Sequence, residues 1–197
     1  MPKAFKQEDI DEAIKFIETY PFGILISIDE QKPIATHLPF VVLRNGAHIT
    51  LYTHLSKANT QHSTFTQDKV LTIFSEPHTY ISPTLYEHQQ NVPTWNYIAV
   101  HIYGKVTIAN TNEEKLEILQ QQIKTYEPSF KQQFEQLDST YTQGLLDGIV
   151  ALKIEVDELQ CKEKLSQNKS QRDRASIQQK LADSNDKNLQ YLAKKMK

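Results

Sequence analysis

The chain has 197 residues, of which 39% are hydrophobic and 23% are charged, and its formal net charge is -2. These values predict one main globular domain, and they exclude a membrane-spanning protein because no apolar run approaches the roughly 20 residues that a spanning helix needs. The polar and acidic start MPKAFKQEDIDE is unlike a secretory signal, so we expect a soluble protein of the cytoplasm.

The predicted elements begin with a helix and continue as strands. Apolar residues at helical spacing over 7–19 predict the helix, which Pro21 and Gly23 end. Patterns of period two then predict strands over 23–29, 33–43, 48–53 and 69–75. The dipeptide Asn45-Gly46 predicts a hairpin turn into the third of these strands.

The clearest strand of the sequence runs over 96–108. Ile98, Val100 and Ile102 fall on one of its faces, which we expect to line a core. The segment 76–104, which overlaps this strand, is rich in aromatic residues and proline, and it is typical of a structural loop whose aromatic residues cover one end of a barrel.

A helix and one more strand follow the long strand. Thr111 and Glu114 have the spacing of a capping box, which predicts a helix over 111–124. Alternating residues over 148–159 predict a strand that rejoins the sheet. Six or so short strands with few helices between them favour an antiparallel β-barrel with peripheral helices over a parallel doubly wound sheet.

The C-terminal segment differs from the rest of the chain in charge. Residues 160–197 hold ten Lys and Arg against four Asp and Glu, a net charge of +6, whereas residues 1–159 carry -8. Ser170 and Ser184 are predicted N-caps of two short helices in this segment. We therefore predict a barrel domain over 1–159 and a basic helical extension over 160–197 packed on it.

Several familiar kinds of site are absent from the sequence. Cys161 is the single cysteine, and the seven histidines between positions 37 and 101 lack the spacing of metal ligands. There is no Gly-x-Ser-x-Gly nucleophile motif, and the five glycines do not form a dinucleotide-binding pattern. We therefore predict no metal site and assign no catalytic residue.

Two short segments remain candidates for binding. Ser56 is a predicted N-cap of a helix running to Phe65, and a lysine in its first turn, Lys57, suits a phosphate; a solvated surface lysine is the alternative. Trp95 and Asn96 place a rigid aromatic ring beside an amide, which suits a flat heterocycle or a dimer contact.

Five segments together resemble one known family. They are KPIATHLP (32–39), HLSKAN (54–59), HTYISP followed by LYE (78–87), VPTWNYIAVHIYG (92–104), and KLSQN followed by DRA (164–175). In this order, they resemble the PaiB-like proteins, described as FMN-binding negative transcriptional regulators. The resemblance implies an FMN-binding split β-barrel, similar to the pyridoxamine-phosphate oxidase architecture, that forms a homodimer with flavin at the subunit interface.

The resemblance also implies which residues hold the flavin. Lys57 matches the lysine that binds the flavin phosphate, with Ser56 and Asn59 beside it. Trp95 and Asn96 would come from the partner subunit. The flavin ring would lie along the backbone of Thr36, His37, Leu38, Pro39, Tyr52, Thr53 and His54. One departure is Lys169, which follows KLSQN where the family pattern implies an arginine.

Three hypotheses about function follow. The first is an FMN-binding homodimer that acts in transcriptional regulation. The second is an FMN-dependent oxidoreductase, a reductase or oxidase, without direct DNA binding, since fold alone does not separate these roles. The third is direct DNA binding through Arg172, Arg174 and Lys180 of the basic tail, although structural capping and dimer contacts explain the same residues. The sequence names no substrate, electron donor or target gene.

Overall fold

A computed structural model describes residues 6–65, 69–88 and 90–196. The strands are β1 (Lys6–Gln7), β2 (Phe22–Asp29), β3 (Lys32–Pro39), β4 (Val41–Asn45), β5 (His48–Ser56), β6 (Val70–Phe74), β7 (His78–Ile81), β8 (Thr94–Ile108) and β9 (Ile149–Lys164). The α-helices are α1 (Ile10–Thr19), α2 (Asn112–Tyr126), α3 (Lys131–Glu135), α4 (Ser139–Asp147), α5 (Gln171–Ala182) and α6 (Lys187–Lys195). Short 3-10 helices span Thr60–Thr64, Pro83–Leu85 and Pro128–Phe130. None of the described helices is long and apolar enough to cross a membrane.

The strands form one sheet with the order β3-β2-β6-β8-β9-β5-β4, with β1 added to β9 and β7 added to β8. β2 pairs antiparallel with β3 and β6, and β5 pairs antiparallel with β4 and β9. The predicted hairpin is confirmed, since Asn45 pairs with His48 and Gly46 has a positive φ of 61°. Glycine adopts this conformation without steric cost. The mainly β, antiparallel prediction is therefore confirmed.

The capping box and the first helix are also as predicted. Thr111 Oγ1 accepts from the N–H of Glu114, and the Glu114 carboxylate accepts from the N–H of Thr111. At the start of α1, the Asp9 carboxylate accepts from the N–H groups of Asp11 and Glu12. Each contact satisfies backbone donors that a helix start leaves without a partner.

The predicted strand over 33–43 is wrong as a single element. It breaks at Phe40, whose N–H donates to the carbonyl of Pro21 (2.9 Å), so that β3 and β4 lie at opposite ends of the strand order. Pro39 has no N–H and cannot continue a ladder on that side. The side chains on both sides of the break are apolar, so their pattern does not reveal it.

Other boundaries of helices and strands differ from the predicted ones, because the local sequence carries no signal for them. The segment 76–104, for which the sequence predicts a structural loop, contains β7 before the long strand. The last strand continues five residues beyond the predicted end at 159, and the polar segment after α2 holds α3 and α4. Ser170 caps α5 as predicted, but α6 is capped by Asp186, whose carboxylate accepts from the N–H of Asn188. The hydroxyl of Ser184, two residues before Asp186, instead accepts from the N–H of Asp186.

The described residues fall into two compact units, each with its own core. The larger unit comprises 14–74 and 101–159. Its largest fully buried side chains include Leu25, Phe40, Leu51, Phe74, Ile102, Leu152 and Ile154. The smaller unit lies within 1–13, 75–100 and 160–197, and buries Ile81, Ile98, Ile177 and Leu192. The division at residue 159 drawn from charge stays a prediction.

Candidate functional site

The two predicted segments 36–39 and 52–59 meet in the larger unit. Asn59 Nδ2 donates to Thr36 Oγ1 at 2.9 Å, which joins the turn after β5 to the middle of β3. Thr53 is fully buried, and its hydroxyl donates to the carbonyl of Pro39 at 2.7 Å. The structure therefore brings 36–39 and 52–59 together, although they are separate in sequence.

The turn after β5 differs from the predicted helix start. Ser56 is the last residue of β5 and pairs with Ile149 of β9, which keeps its backbone extended. The Ser56 hydroxyl accepts from the N–H of Ala58 (3.3 Å), whereas the Asn59 side chain accepts from the N–H of Gln61 and begins the 3-10 helix. The N-cap is thus Asn59, and the prediction of Ser56 was wrong because strand pairing extends through it.

Lys57 combines a fixed backbone with an exposed side chain. Its N–H donates to the carbonyl of Gly148 (2.9 Å), and the N–H of Asn59 donates to the carbonyl of Ser56 (2.9 Å). Within the described residues the Lys57 ammonium makes no ion pair. The Lys57 ammonium, the Ser56 hydroxyl and the Asn59 amide follow one another closely in the chain and together form a donor set. This set fits a phosphate, because charge-assisted hydrogen bonds to phosphate oxygens are strong.

The side chains of Tyr52 and His54 are engaged with helix α2 and its neighbours. The imidazole Nδ1 of His54 lies 2.7 Å from the Gln122 side-chain oxygen. Tyr52 packs against a cluster that includes Ile118, and it lines a cavity of about 240 Å³ beside α2. The flavin role predicted for these two residues concerns their main chain, and this packing of their side chains leaves that prediction standing.

The other two predicted residues of β3 differ in exposure. Leu38 is buried in the core of the larger unit. His37 is exposed, and its ring lies 6.3 Å from that of Phe22 with an interplanar angle of 25°. Phe22 is itself 63% exposed, so this pair presents a flat aromatic surface to solvent.

Gln61 is a residue of this region that the sequence patterns did not mark. It is fully buried, and its side-chain nitrogen contacts Leu25 O (3.1 Å), Ser27 Oγ (3.0 Å) and Ile34 O (3.2 Å). The two protons of this amide nitrogen are shared among the three acceptors, whereas the side-chain oxygen of Gln61 is buried without a hydrogen-bond partner among the described residues. The contacts of the nitrogen join the residue to both strands. A lone glutamine in a polar stretch carries no local signal of this burial.

Trp95 and Asn96 belong to the smaller unit and have different surroundings. Trp95 is 52% exposed and meets Tyr80 edge to face, with ring centroids 5.9 Å apart. Asn96 is fully buried; its oxygen accepts from the Ser166 hydroxyl (2.9 Å), and its amide nitrogen lies 3.9 Å from the Met196 sulfur. The Asn96 side chain is thus engaged within its own chain, and its predicted flavin contact stays a prediction.

Charged residues near the start of α5 contact the loop that follows β7. Asp173 accepts from the N–H of Glu87 (2.9 Å), and Arg172 forms an ion pair with the Glu87 carboxylate (2.6 Å). Lys169 lies 4.2 Å from the centroid of the Tyr86 ring, in the geometry of a cation–π contact. Burial, followed by the charge of Asp173, raises the pKa of Tyr86. Lys169, which departs from the family pattern, therefore has a structural contact.

Cys161 lacks the properties of a reactive cysteine. Its side chain is buried, and burial together with the charge of Glu163 raises the pKa of its thiol to about 12, against a smaller opposing effect of Lys195. A thiol with so high a pKa carries almost no thiolate at neutral pH.

The described part of the chain also holds no cluster of three His, Cys, Asp or Glu side chains placed to bind a metal.

Comparison with known sequences identifies relatives along the whole chain. A family described as "Putative FMN-binding domain" matches residues 1–158. Protease synthase and sporulation protein PAI 2 from Bacillus subtilis (strain 168) is 34% identical over 199 residues, covering 100% of this chain and 95% of the relative. An uncharacterized protein from Emericella nidulans is 28% identical over 209 residues, covering 83% of this chain and 82% of its own length.

Solved structures share the fold at low sequence identity. The flavocytochrome Anf3 from Azotobacter vinelandii has a TM-score of 0.65 and 15% identity, covering 87% of this chain and 75% of its own. The FAD and heme binding protein from Mycobacterium smegmatis has a TM-score of 0.64 and 15% identity, with coverages of 87% and 79%. These likenesses confirm the predicted split β-barrel.

Proposed function

Because this chain belongs to the PaiB-like family of FMN-binding proteins, with FMN as its cofactor, we propose that it is a homodimer that holds the flavin phosphate at Lys57. The observation that carries the proposal is the Lys57 ammonium, which stands exposed on a turn whose backbone is fixed by hydrogen bonds. A cation that forms no ion pair with the described residues and stands on a rigid support binds an anion without a cost for ordering the support.

We assign the remaining contacts by the chemistry of each group. Ser56 and Asn59 donate hydrogen bonds beside Lys57, and the backbones of 36–39 and 52–54 lie against the flavin ring. Trp95 of the partner subunit covers the ring, which its 52% exposure and its support by Tyr80 favour. FMN, when bound, supplies one-electron and two-electron redox chemistry.

We propose that the protein acts in regulation as a flavin-bound dimer and does not bind DNA directly. The name of the Bacillus relative, protease synthase and sporulation protein, connects that protein with protease synthesis and sporulation. The regulatory role proposed for this chain rests on its resemblance to the PaiB-like regulators. On α5, Arg172 forms an ion pair with Glu87, and Arg174, two positions further along, lies on a different face of the helix, so the two arginines do not form one basic face. Recognition helices need several free cations for phosphates and bases.

A flavin-binding experiment tests the central proposal. Protein purified without added flavin is examined by visible absorption, and FMN is then titrated while its fluorescence is followed. We expect flavin absorption bands in the isolated protein, or a saturable fluorescence change on titration. A colourless protein that leaves FMN fluorescence unchanged contradicts the proposal.

Two further measurements separate regulation from enzyme activity. Anaerobic addition of NADH or NADPH to the FMN-loaded protein reports whether the flavin accepts hydride; rapid bleaching with either donor supports the oxidoreductase hypothesis. Mobility-shift assays at low salt report direct DNA binding, which depends steeply on salt. We expect no shift of the DNA band. This part of the proposal would be contradicted by a salt-sensitive complex that is lost when Arg172 and Arg174 are changed to alanine.

A further inference from the structure

Gln61 is the centre of a buried hydrogen-bond network next to the turn that carries Lys57. The residue belongs to a 3-10 helix of only five residues, yet its side chain reaches two strands of the sheet. Its amide nitrogen contacts Leu25 O and Ser27 Oγ on β2, and Ile34 O on β3, all at 3.0–3.2 Å. This one side chain therefore joins the turn region to both strands.

Counting protons fixes the direction of these hydrogen bonds. The Thr64 hydroxyl donates its only proton to Gln61 O (2.7 Å), so at its contact with Ser27 (2.6 Å) it accepts. The Ser27 hydroxyl has then used its proton, and it accepts from the Gln61 amide. A reversed amide would set the Gln61 oxygen against the carbonyl oxygens of Leu25 and Ile34, so one orientation is favoured.

The network continues from Gln61 to the residues around Lys57. The N–H of Gln61 donates to the Asn59 side-chain oxygen (3.0 Å), and the Asn59 amide nitrogen donates to Thr36 Oγ1 (2.9 Å). The N–H of Asn59 donates to the carbonyl of Ser56 (2.9 Å), the residue before Lys57. An unbroken series of hydrogen bonds thus runs from β2 to the backbone next to Lys57.

We propose that Gln61 is a positioning residue for the cofactor phosphate, an inference that rests on the proposed function of Lys57. Gln61 holds the Lys57 turn in its binding conformation before the ligand arrives. A turn that is already ordered adds no ordering cost to binding, which is how preorganisation raises affinity. Loss of the network should therefore weaken binding of a phosphate-bearing flavin more than binding of riboflavin, which has the same ring and no phosphate.

The test compares FMN and riboflavin binding to Gln61→Met, a side chain of similar length without a donor. We expect FMN affinity to fall about threefold to tenfold, the cost of ordering one or two side chains. Riboflavin affinity should stay within about twofold, since the ring contacts are unchanged. In the protein without flavin, the amides of Lys57 and Asn59 should exchange hydrogen faster than in the wild type.

Gln178→Met is the matched control. The Gln178 amide donates to two main-chain carbonyls, those of Ala193 and Met196, at 2.9 Å each, within the smaller unit. The substitution therefore removes two side-chain hydrogen bonds that are not part of the network around Lys57. Neither the ratio of FMN to riboflavin affinity nor exchange at the turn should change.

The outcomes separate this inference from the proposal on which it rests. Equal affinity of the wild type for FMN and riboflavin would overturn both, because Lys57 would not hold a phosphate. A wild-type preference for FMN that persists unchanged in Gln61→Met, or an equal loss for both flavins, would overturn the inference alone. If Gln61→Met does not fold, the same test is made with Ser27→Ala, which removes one hydroxyl from the network. The ratio of FMN to riboflavin affinity should then fall in Ser27→Ala, and an unchanged ratio would overturn the inference.

Discussion

At the scale of single residues, Lys57 owes its properties to its neighbours. A lysine on an ordinary loop loses conformational freedom when it binds an anion, which offsets part of the gain. Here the N–H of Lys57 is bound to the carbonyl of Gly148, and the flanking turn is closed by Ser56 and Asn59. Only the side chain itself remains to be ordered on binding.

Lys57→Ala tests the phosphate contact directly. We expect FMN affinity to fall by about 1.5–3 kcal/mol, the range for a hydrogen bond to a charged group, which is tenfold or more. Riboflavin affinity should be unchanged, as measured by fluorescence titration of both flavins. Lys105→Ala, at an exposed position of β8, is the control and should bind FMN as the wild type does. Unchanged FMN affinity in Lys57→Ala would place the phosphate elsewhere.

Cys161 should make stability depend on alkaline pH. Its pKa is raised from 9.0 to about 12 in the folded state by burial and by Glu163, so above pH 9 the unfolded chain releases a proton that the folded chain keeps. The contribution of the neutral Cys161 thiol to the free energy of unfolding is full below pH 9. It is lost as the pH rises towards 12, by about 1 kcal/mol per pH unit.

Urea unfolding at several pH values between 8 and 11 measures this dependence. The free energy of unfolding of the wild type should fall more steeply than that of Cys161→Ala, in which the titrating thiol is absent. Subtracting the two profiles removes the shared effect of lysine and tyrosine titration. Parallel profiles would show that the thiol titrates alike in the folded and unfolded states.

At the scale of elements, β8 and β9 meet closely at a glycine. A Cβ added at Gly104 would lie 2.3 Å from Glu155 O and 2.9 Å from Ile154 Cγ2, both on β9. Because main-chain atoms of a paired strand cannot move aside independently, this approach requires glycine. Gly144 on α4 is the opposite case, since nothing lies within 4 Å of its added Cβ.

This contrast predicts opposite effects for the same substitution. Gly104→Ala should lower the free energy of unfolding by about 1–3 kcal/mol, the usual cost of overpacking. Gly144→Ala should raise it by about 0.5–1 kcal/mol, because alanine loses less backbone entropy in a helix. Urea unfolding of both variants gives the comparison, and a Gly104→Ala protein as stable as the wild type would show that the strands separate at little cost.

At the scale of the whole molecule, we propose that the exposed aromatic residues of the smaller unit form the surface of the dimer. Trp95 and Tyr80 are each about half exposed, and their rings meet edge to face. Val92, a short distance along the chain, is 73% exposed. Tryptophan and tyrosine contribute heavily to protein interfaces because their large rings lose contact with water on association.

Trp95→Ala should weaken the dimer. We expect the dissociation constant of the dimer to rise by roughly 30-fold, which corresponds to the loss of about 2 kcal/mol typical of a central interface residue. Sedimentation velocity over a dilution series measures this change. Tyr141→Ala, which removes a ring that is 59% exposed on α4, is the control and should leave the assembly unchanged. A wild-type protein that is monomeric at all concentrations would contradict the dimer itself.

The sequence by itself determined those features that depend on near neighbours. The Asn45-Gly46 hairpin, the Thr111–Glu114 capping box and the buried face of β8 follow from contacts within a few residues or from strand periodicity. The segments resembling the PaiB-like family were also sufficient to predict FMN and the split barrel, because they keep their order along the chain.

Only the tertiary structure decided the features that depend on distant partners. The break at Phe40 requires the carbonyl of Pro21, and the burial of Gln61 requires acceptors on two strands about 30 residues away. The engagement of Asn96 by Ser166 likewise joins residues far apart in sequence. A hydrogen bond between distant residues leaves no trace in the local pattern of either one, because a main-chain group or a polar side chain has the same local sequence whether or not the fold brings a partner to it.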